Sequence, residues 1–334
     1  MSTIAVLGAG AWGTALAATL ARGGHRVTLC ARRADHVAAM RSRRENEFYL
    51  PGVALPETID LSDRWAAAAG ASEAVLMAVP SRFARAAMMP VGPALRADAT
   101  LISVTKGVEE DSLKTMTAML AEVAPVVKRL AVLSGPSFAA EVARGQPAAI
   151  VAAARDEAVS RDVQDLFASR TLRVYRSVDV DGVELAGAAK NVIAIAAGIS
   201  DGLGLGSSAR AALITRGLAE IARLGLRAGA RAETIYGLAG LGDLVLTCTG
   251  ELSRNRALGL RIGHGESVAG IAASTPPGHP VAEGLSNARS IRRLAERMGV
   301  EMPIVTAVCR VLYEGAPANA MVEELLNREL KAEF

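Results

Sequence analysis

Lysine is nearly absent from this chain. Of 37 basic residues among 334, only five are lysines: Lys106, Lys114, Lys128, Lys190 and Lys331. Where arginine serves wherever either cation would do, a lysine inside a Gly/Ala-rich apolar segment points to a need for an ammonium that can titrate, since a guanidinium keeps its proton. Lys106 and Lys190 stand in such segments, whereas the other three read as surface positions. Cysteine is scarce too. Cys30, Cys248 and Cys309 are odd in number and far apart, which fits reduced thiols in a cytoplasm rather than a disulfide framework. No His/Cys/Asp grouping has metal-ligand spacing. Net charge is only +3, which implies neither nucleic acid nor an anionic membrane as a partner. The hydrophobic fraction is 51%, yet no run of eighteen apolar residues is free of a charge or a glycine break. The best candidate, residues 183–205, is interrupted by Glu184, Lys190, Asn191 and Asp201 and reads as a buried helix rather than a membrane span. With a strand predicted from Thr3, no signal peptide is expected.

What is present begins at the N-terminus. Residues Thr3–Leu7 form a short apolar run, followed by Gly8, Gly10 and Gly13 at G-x-G-x-x-G spacing and then by an Ala-rich helical segment. In a strand–turn–helix of this kind the first glycine permits the tight turn. The second lets a pyrophosphate approach the backbone, and the third allows helix and strand to pack closely. The free N–H groups of the helix N-terminus face the phosphates. A second strand, Arg26–Cys30, follows at the expected distance and ends on Arg32 and Arg33. An acid there would accept from the ribose hydroxyls of NAD, whereas an arginine accommodates the 2′-phosphate of NADP. The pair therefore favours NADPH and leaves NADH open, with two solvated arginines as the bland alternative.

Further apolar runs at residues 74–79, 100–104, 130–133, 148–153 and 172–175 alternate with helix-like stretches, the pattern of a doubly wound α/β sheet. Near residue 180 the character changes, and from there on helical periodicity and Gly-rich loops replace strands. The expectation is a Rossmann-type NAD(P)-binding domain over residues 1–180 and an all-α substrate-binding and catalytic domain over residues 181–334.

In open α/β sheets ligands bind beyond the carboxyl ends of the strands. Three predicted strand ends carry special turns there: AVPS with Pro80, VTKG with Lys106, and SGPSF with Gly135 and Ser137. The helical half adds Lys190 and Asn191 inside the apolar run GVELAGAAKNVIAIAAG, where a cation must be paired or perturbed. It also adds Asp243 among glycines with Thr247 one helical turn later, and SRNR, in which Ser253 reads as an N-cap with Arg254 and Asn255 in the first turn. Arginine is unfavourable at that end of a helix, a penalty that a bound anion would remove. An exposed cap is the alternative reading. His25, His36, His264 and His279 lie outside all of these clusters, so the usual histidine proton partner is missing and a lysine is left as the acid.

GAGAWG, VTKG, SGPSF, AGAAKNVIAIAAG, GLGDLVLTC and SRNR, in this order over nearly the whole chain, resemble the bacterial NAD(P)-dependent sn-glycerol-3-phosphate dehydrogenases. The resemblance implies a Rossmann-type domain followed by an all-helical one, and reversible reduction of dihydroxyacetone phosphate by NADPH or NADH to sn-glycerol 3-phosphate, feeding glycerophospholipid synthesis. By motif it implies Lys190 as general acid/base, and Lys106, Gly135, Ser137, Lys190, Asp243, Ser253, Arg254 and Asn255 around the glycerol phosphate. It assigns Trp12, Arg32, Lys106, Ala139, Arg254, Val281 and Glu283 to the cofactor. Ala11 stands where some members have serine, and PVAEG (residues 280–284) departs slightly from the commoner VVEG.

The expected mechanism passes a hydride to the ketone carbon while Lys190 gives the proton to the developing alkoxide, with Asp243 and Asn191 orienting Lys190 and Lys106 adding positive potential near the carbonyl. Two other readings stay open. A different β-hydroxyacid dehydrogenase would lack the SRNR grip, and a non-catalytic nucleotide sensor would need neither Lys190 nor Asp243. The expected partner is a small phosphorylated substrate in a cytoplasmic setting, without nucleic acid or stable membrane insertion, and a homodimer is left open.

Overall fold

Ten strands lie before residue 178: β1 (Thr3–Leu7), β2 (Arg26–Cys30), β3 (Glu45–Asn46), β4 (Leu50–Ala54), β5 (Ile59–Ser62), β6 (Ala74–Met77), β7 (Thr100–Ser103), β8 (Arg129–Ser134), β9 (Ala148–Ala153) and β10 (Leu172–Ser177). They come from a computed structural model that describes residues 1–275, 282–327, 329 and 332. Eight of them form one sheet in the order β10-β9-β8-β7-β6-β1-β2-β5. Helices cover both faces, so the central strands read as unbroken apolar runs: Ile4–Leu7 of β1 and Val75–Met77 of β6 have no exposed surface. The order reverses beside β1, where the chain crosses back from the edge strand β5 to β6, and a ligand crevice is expected at that switch point.

Two features go beyond the sequence reading. β9 pairs antiparallel with β8, so the doubly wound sheet is mixed. The stretch from residue 45 to 62, read as no strand, holds the small antiparallel β3–β4 ribbon and the edge strand β5. Pro51 and Gly52 interrupt β4, and β5 alternates buried and exposed residues over only four positions, which is too little to stand out. The ribbon is tied under the glycine turn by the buried Asn46, whose Nδ2 donates to the Ala9 carbonyl at 2.9 Å and to the Thr14 hydroxyl at 2.8 Å.

From Val180 onward every described element is helical. The helix Val180–Gly202 is apolar and long enough to cross a membrane, and it is buried inside the protein instead. The helices Gly206–Arg227, Asp243–Thr249, Arg254–Gly263 and Gly284–Met298 pack around it. Its small residues allow backbone-to-backbone approach. A Cβ on Gly198 would lie 2.1 Å from the Arg256 carbonyl oxygen, and one on Gly259 would lie 2.0 Å from that of Ile195. Near its start Glu184 reaches back to the sheet domain, where its carboxylate accepts from the Thr117 N–H at 2.9 Å and from the Thr117 hydroxyl. Burial pushes this carboxyl up to about 7.

Candidate active site

Gly8 leaves β1 with φ +116°, and a Cβ there would stand 2.5 Å from the Ala78 carbonyl oxygen. At Gly13 a Cβ would meet the Gly8 carbonyl oxygen at 2.0 Å. These two glycines let the turn close against β6 and the helix Ala11–Arg22 close against the turn. Gly10 differs. It is the N-cap of that helix, no side chain caps it, and a Cβ there would meet nothing within 4 Å. An uncapped helix N-terminus facing open space suits a dinucleotide pyrophosphate. Ala11, Trp12 and Ala139 pack into one cluster with Ala15, Leu50, Val53 and Ala143, and the buried indole N–H of Trp12 has no partner. These residues fit the cofactor that the sequence implies. At the end of β2 the two arginines separate. Arg33 is held by Asp35 through two hydrogen bonds, one of 2.9 Å, whereas Arg32 is exposed and has no ion pair among the described residues.

Lys106 follows β7, and Lys190 lies midway along the helix Val180–Gly202; both reach Asp243. The Lys106 Nζ donates to Asp243 Oδ2 at 2.6 Å and to the Gly135 carbonyl at 3.0 Å. Lys190 Nζ lies 3.0 Å from Asp243 Oδ1 and donates to the Thr247 hydroxyl at 2.6 Å. Thr247 in turn donates to the Asp243 backbone carbonyl one turn earlier, at 2.6 Å. Asp243 begins the helix Asp243–Thr249 directly after a π-helical turn, Leu238–Gly242, and is 1% exposed. One buried carboxylate thus bridges two ammoniums from different halves of the chain. Burial pushes Lys190 down to about 8, with the Asp243 charge opposing the fall and that of Lys106 adding to it. An ammonium with that value can both give and take a proton near neutral pH.

Ser253 caps the helix Arg254–Gly263, accepting from the Arg256 N–H at 3.2 Å, and Arg254 is exposed at its first turn. Ser137 donates to the Gly135 carbonyl at 3.1 Å, and Gly135 is pressed against β9, where a Cβ would lie 2.9 Å from Ile150 Cα. Asn191 does not orient Lys190. Its Oδ1 accepts from Asn255 Nδ2 at 2.8 Å, while Asn255 Oδ1 accepts from the Gly284 N–H at 2.9 Å. Adjacent residues on a helix point about 100° apart, so Lys190 and Asn191 face different neighbours. Thr247 takes the place expected of Asn191. Burial pushes the Glu283 carboxyl up, against the pull of Arg254, Lys106 and Lys190, so it shares the field of the site. Val281 lies outside the described residues.

Asn287 was not singled out by the sequence. Fully buried on the helix Gly284–Met298, it donates to the Lys106 backbone carbonyl at 2.9 Å. The available signal was an amide on the apolar stripe formed by Ala288, Ile291, Leu294 and Ala295.

Residues 3–160 match the family described as NAD-dependent glycerol-3-phosphate dehydrogenase N-terminus, and residues 179–323 match the corresponding C-terminus. This chain belongs to the NAD-dependent glycerol-3-phosphate dehydrogenase family. A protein from Geobacter sp. (strain M21), named glycerol-3-phosphate dehydrogenase (NAD(P)+), is 51% identical over 332 residues, covering 99% of this chain and 98% of that one. One of the same name from Geobacter sulfurreducens is 50% identical over 332 residues, with 99% and 98% covered. The crystal structure of glycerol-3-phosphate dehydrogenase from Coxiella burnetii superposes with a TM-score of 0.92 at 42% identity, covering 97% of this chain and 98% of that one. The family and the two-part fold read from the motifs are borne out. The chain is an oxidoreductase using NADH or NADPH that reduces dihydroxyacetone phosphate to sn-glycerol 3-phosphate.

Proposed function

We propose that Lys190 is the general acid/base of this reaction and that Asp243, Thr247 and Lys106 prepare it. The observation that carries this reading is the buried Lys190 ammonium, held at 3.0 Å by Asp243 and lowered to about 8. When bound, the reduced nicotinamide supplies a hydride to the ketone carbon. Lys190 gives its proton to the carbonyl oxygen as negative charge develops there, and takes it back in the oxidation direction. Lys106 adds positive potential beside that oxygen, while Asp243 holds both ammoniums in register. Ser253, Arg254 and the helix N-terminus they share receive the substrate phosphate, and Gly135, Ser137 and Asn255 line the remainder. Gly8, Gly10, Ala11, Trp12, Gly13 and Ala139 receive the cofactor, with Arg254 and Glu283 at its reactive end.

The exposed, unpaired Arg32 supports a preference for NADPH over NADH, whereas Arg33 is already engaged by Asp35. We assign residues 1–180 to cofactor binding and 181–334 to substrate binding and catalysis, a division supported by the change from strands to helices at Val180. A cytoplasmic enzyme without stable membrane insertion, supplying glycerophospholipid synthesis, agrees with the burial of the helix Val180–Gly202 and with three free, buried cysteines.

Lys190→Met tests the core of the proposal. It keeps much of the side-chain length and has no proton to deliver, so NADPH binding should persist while turnover falls by roughly 10²–10⁴. Lys190→Arg should fail nearly as badly, since guanidinium stays protonated. Near-parental turnover in either variant refutes the assignment and moves the acid to Lys106.

A further inference from the structure

The helix Gly284–Met298 follows the strand-end loop that carries Lys106. Arg293 donates to the Glu110 carbonyl at 2.8 Å and Arg297 to the Ser112 carbonyl at 3.4 Å, both at the exposed surface. Asn287 is the buried end of the same row. Its Nδ2 donates to the Lys106 carbonyl at 2.9 Å and makes a longer contact, 3.4 Å, with the carbonyl of Ala188, two residues before Lys190. Its Oδ1 lies 3.5 Å from the hydroxyl of Ser81, the first residue after the loop beyond β6. Gly107 fits flush against this group, since a Cβ there would stand 2.5 Å from the Ser81 hydroxyl and 2.8 Å from Asn287 Oδ1. One amide with no exposed surface therefore touches two strand-end loops and the helix bearing Lys190.

We propose that Asn287 is a positioning residue for Lys106: it fixes the peptide from which the Lys106 side chain starts, so that the ammonium reaches Asp243 and Gly135 and is aligned with the substrate oxygen. Lys106 is 15% exposed along its side chain and is held at its tip by two acceptors among the described residues, Asp243 and Gly135. Without the clasp its backbone carbonyl loses a buried partner at 2.9 Å, and the loop can relieve that loss only by moving. Such a movement carries the ammonium with it. The inference rests on the role given to Lys106 above.

Asn287→Leu removes the amide while keeping nearly the same shape. We expect kcat/KM for dihydroxyacetone phosphate to fall roughly ten- to hundredfold, because a misplacement of about 1 Å at a reacting group has effects of this order. Cofactor affinity should fall much less than this, since Lys106 is one of several residues assigned to the cofactor. Combined with Lys106→Met, the same substitution should add little, since neighbours acting through one group are non-additive. Gly107→Ala drives a methyl into the clasp without removing any side chain and should reproduce the split between ketone and cofactor, which keeps the inference testable if Asn287→Leu folds poorly. Parental kinetics in a folded Asn287→Leu, or an undiminished loss in the Lys106→Met background, overturns it. An equal loss in the double variant Arg293→Ala, Arg297→Ala also overturns it, since the effect would then be general docking of the helix. Full activity of Lys106→Met alone refutes the role of Lys106 and the inference with it, whereas an impaired Lys106→Met beside a parental Asn287→Leu refutes the inference alone.

Discussion

Asp243→Asn isolates the charge that holds the two lysines, because the amide keeps the shape of the carboxylate. At 3.0 Å and an effective dielectric of about 20, the attraction between Asp243 and the Lys190 ammonium is on the order of 5 kcal/mol. The amide oxygen retains part of this by accepting a hydrogen bond, and losing a nearby opposite charge typically lowers a cation by roughly one to three pH units. Lys190 starts at about 8, so it is largely protonated at neutral pH in the parent. In the variant its protonated fraction at neutral pH should fall to between about a half and a hundredth. Burial and the Lys106 charge, which already depress it, would act unopposed by their main counterweight. Ketone reduction needs the protonated lysine, so its alkaline limb should move from near 8 to lower pH, and the limb for alcohol oxidation should move the same way. The assay is nicotinamide absorbance in both directions from about pH 5 to about pH 9, with cofactor binding as the control for folding. That control matters because removing one partner of a buried pair destabilises by about 3–5 kcal/mol. A reduction profile whose alkaline limb stays near 8, with only a uniform drop in rate, refutes Lys190 as the titrating acid.

Two further outcomes follow from other parts of the chain. Arg32→Ala should weaken NADPH roughly ten- to hundredfold relative to NADH, the range of one lost charge-assisted hydrogen bond, while Arg33→Ala should do little because Asp35 already occupies that guanidinium; equal cofactor ratios in parent and Arg32→Ala, measured by fluorescence titration, refute it. Glu184, raised by burial to about 7, holds a proton in the folded state that the unfolded chain releases near 4.5, so parental stability should fall by about 3 kcal/mol as pH rises between these values. Glu184→Gln should lose that dependence, which unfolding midpoints at about pH 5 and about pH 8 would check; identical pH dependence in both proteins counts against a neutral buried carboxyl.

The sequence made legible those parts of the site that one local rule sets. The glycine spacing needs three residues and a strand, and it is legible because Gly8 and Gly13 each answer a steric demand while Gly10 leaves the helix N-terminus open. Ser253 declared itself as a cap by its type. Pairings between distant segments were not legible. Nothing in the local pattern shows that β9 runs antiparallel to β8, or that Asn287 meets a loop 181 residues away. Asn191 was expected to orient Lys190, but neighbouring helical side chains point about 100° apart, and its amide meets Asn255 instead.

The scarcity of lysine can now be tied to the energetics of the site. Lys114 lies at the surface with Glu122, and Lys128 is exposed, so neither needs the chemistry of an amine. Lys106 and Lys190 differ from these in sharing one carboxylate that is 1% exposed. A single buried anion cannot neutralise two cations, and that surplus lowers the cost of deprotonating one of them. Lys190, the deeper of the two, is the ammonium that burial and its neighbour together bring to about 8. A guanidinium at either position would stay charged and would present a planar fork to an acceptor set built for a point donor. Two lysines around one aspartate thus place the labile proton of Lys190 beside the ion pair that Lys106 makes with the same carboxylate, which is what reduction of a ketone oxygen requires.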